Sequence, residues 1–393
     1  MQSFQIKSSA AQLLARAREL TGIAIVDSDI VEALGKLLQA LNTEAMLTVA
    51  GAQGMEQRIL TILANRLRMF RDFQQHPEID EQKIVRPHFL TGAGRSGSTK
   101  LHKLLAASGD FKYLRFWQQY NPALRSGDRN EDSSERVREA EAFITWFNEH
   151  SPQAKQIHEY STFEPEEETF LFDHSRFLIN FCITHASIPS YMQWCMGQDM
   201  AKQIDFLKQS IKYLQWQFYD ADRGEDQRPW LLKNPLYCGM EPLLLQIFPD
   251  AVFVATHRDP AARVASSAGL TVSMQKAYSD VNRAKQAGPV MLEFMAMAAT
   301  QYLAGRDAFP EVKILDIGYP ELTRQAESVA EKIYAFAGRP LSDKARQAMQ
   351  HWEQQNAQHK HGVYKYSLAD YSISEAMITE KFGPYAARFD RYF

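Results

Sequence analysis

Residues 84–101 read IVRPHFLTGAGRSGSTKL. The opening run to Leu90 is short, apolar and rich in strand formers, it ends at Gly92, and apolar residues return at helical spacing from Leu101. The order is therefore strand, loop, helix. Between strand and helix stand Gly92, Ala93, Gly94, Arg95, Ser96, Gly97, Ser98 and Thr99. In that position backbone N–H groups and the positive end of a helix dipole cradle a phosphate. The plainer alternative is a Gly-rich turn that only caps a helix.

A nucleoside triphosphatase loop reads GxxxxGK[ST]. Gly92 and Gly97 have that separation, but Ser98 stands where the lysine belongs and Lys100 comes two positions late. The strand that would supply a magnesium-binding Asp reads AVFVATHRDP over 251–260, so its first polar residues are Thr256, His257 and Arg258. The loop suits a phosphate that is not part of a metal-bound triphosphate.

Working outward, further strands are expected at 230–233, 251–256 and 312–317, each followed by a helical pattern. Such alternation argues for an α/β fold with a P-loop-type parallel sheet flanked by helices. Apolar residues recur at helical spacing from Ser9 to about Phe73. We therefore divide the chain into an N-terminal helical segment, 1–83, packed on the core, and an α/β domain, 84–393, with a helical region inserted at about 131–220. A polar stretch, DADRGEDQ at 220–227, is expected as a loop before the second strand.

Composition narrows the function. The 393 residues carry 44 Lys plus Arg against 47 Asp plus Glu, a net charge of −3, so the basic excess of a nucleic-acid-binding protein is missing. Three cysteines, Cys182, Cys195 and Cys238, form no CxxC and no metal-ligand spacing and suit free thiols in a reducing compartment. No metal site is expected. No stretch reaches eighteen uninterrupted apolar residues, so the expectation is a cytoplasmic protein that does not span a membrane.

A second signature, HRDPAARVASS at 257–267, falls at the C-terminal end of a predicted strand, where open α/β sheets place ligands. Arg258 can grip an anion bidentately and Ser266 can add a hydroxyl.

Taken in order, GAGRSGST, WLLKNP and FPDAVFVATHRDPAARVASS resemble the PAPS-dependent sulfotransferase family, particularly its bacterial branch. The resemblance implies that 3′-phosphoadenosine 5′-phosphosulfate (PAPS) is the donor substrate, with no metal required. Gly94, Arg95, Ser96, Gly97, Ser98 and Thr99 would hold its 5′-phosphosulfate, and Arg258 and Ser266 its 3′-phosphate. Lys233, ending WLLK, takes the place of a lysine that meets the leaving oxygen, and Arg95 shares that role. Many relatives carry a histidine two residues after this lysine, where this chain has Pro235. The bacterial branch carries a ProGluGlu-type segment, matched here by EPEEETFLFDHS at 164–175. Glu167 is the first candidate for general base, with Glu166, Glu168, His158 and His174 as alternatives. The same acidic run would also decorate a helix N-terminus.

The expected reaction is in-line transfer of a sulfuryl group to the hydroxyl of a small, apolar alcohol, phenol or lipid. Phe163, Phe170, Phe172, Phe177, Phe181, Tyr191, Trp194 and Met196 are the candidates to line the acceptor pocket. By analogy with the family, HGVYKYS at 361–367 would close over the nucleotide. The competing readings are a P-loop nucleotide kinase or phosphotransferase, and a non-catalytic nucleotide-binding scaffold.

Overall fold

Four strands form one sheet: β1 His88–Leu90, β2 Leu231–Lys233, β3 Val252–His257 and β4 Ile314–Gly318. The computed structural model describes residues 3–219, 226–356 and 366–393. Most of the expected loop at 220–227 and most of the expected lid at 361–367 lie outside those residues. The strand order is β2-β1-β3-β4, and every pairing is parallel. Leu90 pairs with Lys233 on one side and Val254 on the other, so β1 and β2 end level with each other while β3 runs on to His257. The chain leaves β1 for neighbours on opposite sides, which opens a crevice above those ends. This is the α/β architecture with a P-loop-type parallel sheet expected from the sequence.

Alternation along the strands sorts the core. Leu90, Leu231 and Val254 face one layer with Leu101, Leu105 and Ile333. Phe89, Leu232 and Phe253 face the other, because successive strand side chains point to opposite faces. The β1, β2 and β3 residues are all buried, as expected of a parallel sheet covered on both sides.

The N-terminal residues form helices Ala10–Thr21, Val31–Thr43 and Val49–Gln75. Ser9 and Gln12 close a capping box at the first, satisfying two otherwise orphaned N–H groups. The third helix lies directly on the remainder of the chain: a Cβ at Gly51 would sit 2.1 Å from the Tyr278 carbonyl oxygen. The same helix carries Arg58 to Asp173, 3.5 Å away, and places its guanidinium 4.1 Å from the centroid of the Tyr120 ring. One hydrophobic cluster runs continuously from Leu13 to Phe253. No helix among the described residues is long and apolar enough to cross a membrane.

Candidate active site

The loop after β1 turns sharply because its glycines and Arg95 permit it. A Cβ at Gly92 would lie 2.0 Å from Thr256 Oγ1, so only glycine lets the loop pass this close to β3. Arg95 and Gly97 adopt left-handed backbone, with φ of 64° and 92°. A non-glycine residue there carries strain of the kind that collects at functional sites. The Ser96 hydroxyl is buried and lies 2.6 Å from both the Ala93 carbonyl and Thr256 Oγ1, so it braces the loop from behind. Ala93, Gly94, Arg95, Gly97, Ser98 and Thr99 line a cavity of about 520 Å³. Helix Ser98–Ala107 starts at its wall, presenting the first N–H groups that no helical carbonyl can reach.

The two motifs meet at this cavity. Arg95 Nε donates to Ser266 Oγ at 3.0 Å, and Arg258 donates to the Arg95 carbonyl at 3.1 Å. Arg258 also lies 4.2 Å from the centroid of the Tyr319 ring, within cation–π range. Burial, with the neighbouring Arg258 charge, holds the Arg95 guanidinium below its ordinary range. Among the described residues neither arginine forms an ion pair with a carboxylate within 4.0 Å. The two guanidinium groups set positive charge along this wall of the cavity, with Glu167 as the carboxylate acting on Arg95.

Lys233, buried at the end of β2, donates from Nζ to Thr99 Oγ1 at 3.1 Å and pairs with the Glu167 carboxylate. The three adjacent glutamates Glu166, Glu167 and Glu168 do different things. Glu168 is fully buried, accepts the Lys233 backbone N–H at 3.0 Å and the Tyr237 hydroxyl at 2.8 Å, and is pushed by burial up to about 8. It anchors β2 and does not line the cavity. Glu166 and Glu167 do line it, together with His158 and Pro235. His158 Nε2 lies 3.2 Å from both Glu166 oxygens. Burial alone would raise the Glu166 carboxyl, but His158 and then Lys233 bring it down to about 2. His174 is in the core beside Asn65 and the Phe170 carbonyl, away from the cavity.

The aromatic residues expected around the acceptor are placed elsewhere. Phe170, Phe172, Phe177, Phe181 and Tyr191 are buried in the main core, and Trp194 packs against it. Phe163 and Met196 are 54% and 51% exposed. Instead, Leu270 and Met274 from helix Pro260–Gln275, and Met291, Phe294 and Met295 from helix Ala284–Ala308, form the apolar wall, with Ile183 from the central region. Met291, Phe294 and Met295 follow i, i+3, i+4 spacing, a signal present in the sequence but indistinguishable there from an ordinary core stripe. Tyr319 and Trp352, also on the wall, had no signal of their own.

A sequence profile described as the Sulfotransferase family matches residues 87–343. The fold is similar to the crystal structure of sulfotransferase STF9 from Mycobacterium avium, with 22% identity, a TM-score of 0.82, and 99% of this chain and 98% of that one covered. It is also similar to sulfotransferase STF1 from Mycobacterium tuberculosis H37Rv, with 27% identity, a TM-score of 0.78, and 97% and 100% covered. No curated protein sequence shows significant similarity.

Proposed function

Because the chain belongs to the sulfotransferase family, we propose that it moves the sulfuryl group of PAPS to the hydroxyl of an apolar alcohol, phenol or lipid. The observation that supports this best is the joining of the loop to the second motif through Arg95, Ser266 and Arg258. A donor with a 5′-phosphosulfate and a separate 3′-phosphate carries two anionic ends, and two linked cationic grips in one cavity suit both. The apolar part of the lining, built from methionine, leucine and phenylalanine, suits a hydrocarbon acceptor of variable shape.

In the proposed reaction the 5′-phosphosulfate lies on the loop and the start of helix Ser98–Ala107, and Arg258 and Ser266 take the 3′-phosphate. Lys233 and Arg95 face the developing charge on the leaving oxygen. Glu167, paired with Lys233 Nζ, keeps that ammonium at the sulfuryl end. Ser98 in place of a Walker lysine speaks against the kinase reading. The test is transfer of radiolabelled sulfuryl from PAPS into organic-extractable product, with aliphatic alcohols and phenols offered in a chelating buffer. Labelled product supports the proposal. No labelled product from PAPS, with γ-labelled ATP plus magnesium in a separate chelator-free reaction labelling the same acceptors, overturns it.

A further inference from the structure

We propose that His158, oriented by Glu166, accepts the proton of the acceptor hydroxyl, while Glu167 is a positioning residue for Lys233. The assignment rests on the sulfotransferase reading above. Four observations converge on it. The pair is enclosed, with side chains 8% and 6% exposed, and both residues line the cavity. Nε2 is committed to the Glu166 carboxylate at 3.2 Å, whereas among the described residues Nδ1 has no partner. The Tyr160 ring stands edge-on to the imidazole, 5.1 Å between centroids, which restricts its rotation. Finally, the segment is tied to the sulfuryl end at both sides: the Ile157 carbonyl accepts from Arg95 at 3.4 Å, and Glu166 accepts the Glu167 N–H at 2.9 Å.

The chemistry follows from this arrangement. Nε2 is directed at the Glu166 carboxylate, which leaves Nδ1 as the ring nitrogen open to accept a proton. A carboxylate that orients a histidine from behind is the general arrangement for a proton acceptor. Glu167 is less suited, because its oxygen is already occupied by the ammonium that must meet the leaving group. In the step itself, the acceptor oxygen forms a bond to sulfur as its proton passes to Nδ1. The bond from sulfur to the bridging oxygen breaks, and its electron pair stays on the 5′-phosphate, opposite Lys233. His158 then returns the proton to water.

Sulfuryl transfer to water, measured as sulfate released from PAPS, tests this without the natural acceptor. Binding of adenosine 3′,5′-bisphosphate is measured alongside for each protein. His158→Gln should lower sulfate release roughly a hundredfold and leave bisphosphate affinity within about twofold. Imidazole in the buffer should restore part of the rate of His158→Ala, which a merely structural histidine would not allow. Unchanged release in His158→Gln overturns the assignment, as does an equal loss of bisphosphate binding. Wild-type protein that binds the bisphosphate yet releases no sulfate also counts against His158, with the donor site left standing. Failure to bind the bisphosphate overturns the sulfotransferase reading itself.

Discussion

Arg95 donates from Nε to Ser266 Oγ at 3.0 Å, joining two sequence motifs that lie 171 residues apart. The contact puts the strained left-handed turn of the loop after β1 against the helix that follows β3. Arg258 then closes the arrangement from the other side by donating to the Arg95 carbonyl.

Arg258→Ala should weaken binding of adenosine 3′,5′-bisphosphate by about 1.5–3 kcal/mol, the range for a charge-assisted hydrogen bond. Binding of 5′-AMP, which lacks the 3′-phosphate, should change little. Calorimetric titration of both nucleotides checks this, and equal weakening would remove Arg258 from the 3′-phosphate.

Lys233→Ala should lower turnover roughly a hundredfold while donor affinity falls far less, because a leaving-oxygen contact strengthens in the transition state. Turnover and bisphosphate affinity are measured on the same variant. Matching losses would make Lys233 a binding residue only.

Much of this arrangement was legible in the sequence, for a physical reason. The glycine-rich loop at 92–99, Lys233 and the 257–267 segment each sit at the C-terminal end of a strand, and a parallel sheet brings such ends together whatever lies between. Pro235 likewise signalled that the usual histidine is missing. The acceptor wall was not legible. Phe170, Phe172 and Phe181 look like pocket residues by type, but they are drawn into the core that surrounds Arg58 and Asp173. Met291 and Met295, which do reach the cavity, look like core. The His158 to Glu166 contact depends on an irregular turn, and no periodicity reports it.

Stability should fall as pH rises from about 6.5 to 8. Glu168 is pushed by burial up to about 8 and Glu241 up to about 7, above the ordinary glutamate value near 4.5. Over that interval the folded state binds more protons than the unfolded chain, so raising the pH favours unfolding. Buried His88, His102 and His185, pushed down to about 4, 3 and 3, act in the opposite sense, but only below about 6.5. Glu168→Gln keeps an acceptor for Tyr237 and should flatten the slope. Urea midpoints at several pH values check this, and an unchanged slope in the variant would contradict it.

Asp173→Ala should cost about 3–5 kcal/mol of folding stability, since it leaves Arg58 buried without its carboxylate partner. Asp173 is pushed up to about 6 by burial despite Arg58, so the pair is expensive to keep. Replacing both residues with apolar side chains should recover most of the loss. A double variant no more stable than Asp173→Ala would show that packing, not the stranded charge, sets the cost.

The most direct measurement is thermal unfolding of the wild-type protein in a chelating buffer with adenosine 3′,5′-bisphosphate or 5′-AMP, set beside ATP with magnesium. A ligand that binds only the folded state raises the melting temperature. The bisphosphate should raise it clearly and more than 5′-AMP does, without any metal. Stabilisation by ATP and magnesium alone would contradict a PAPS site and return the chain to the phosphotransferases.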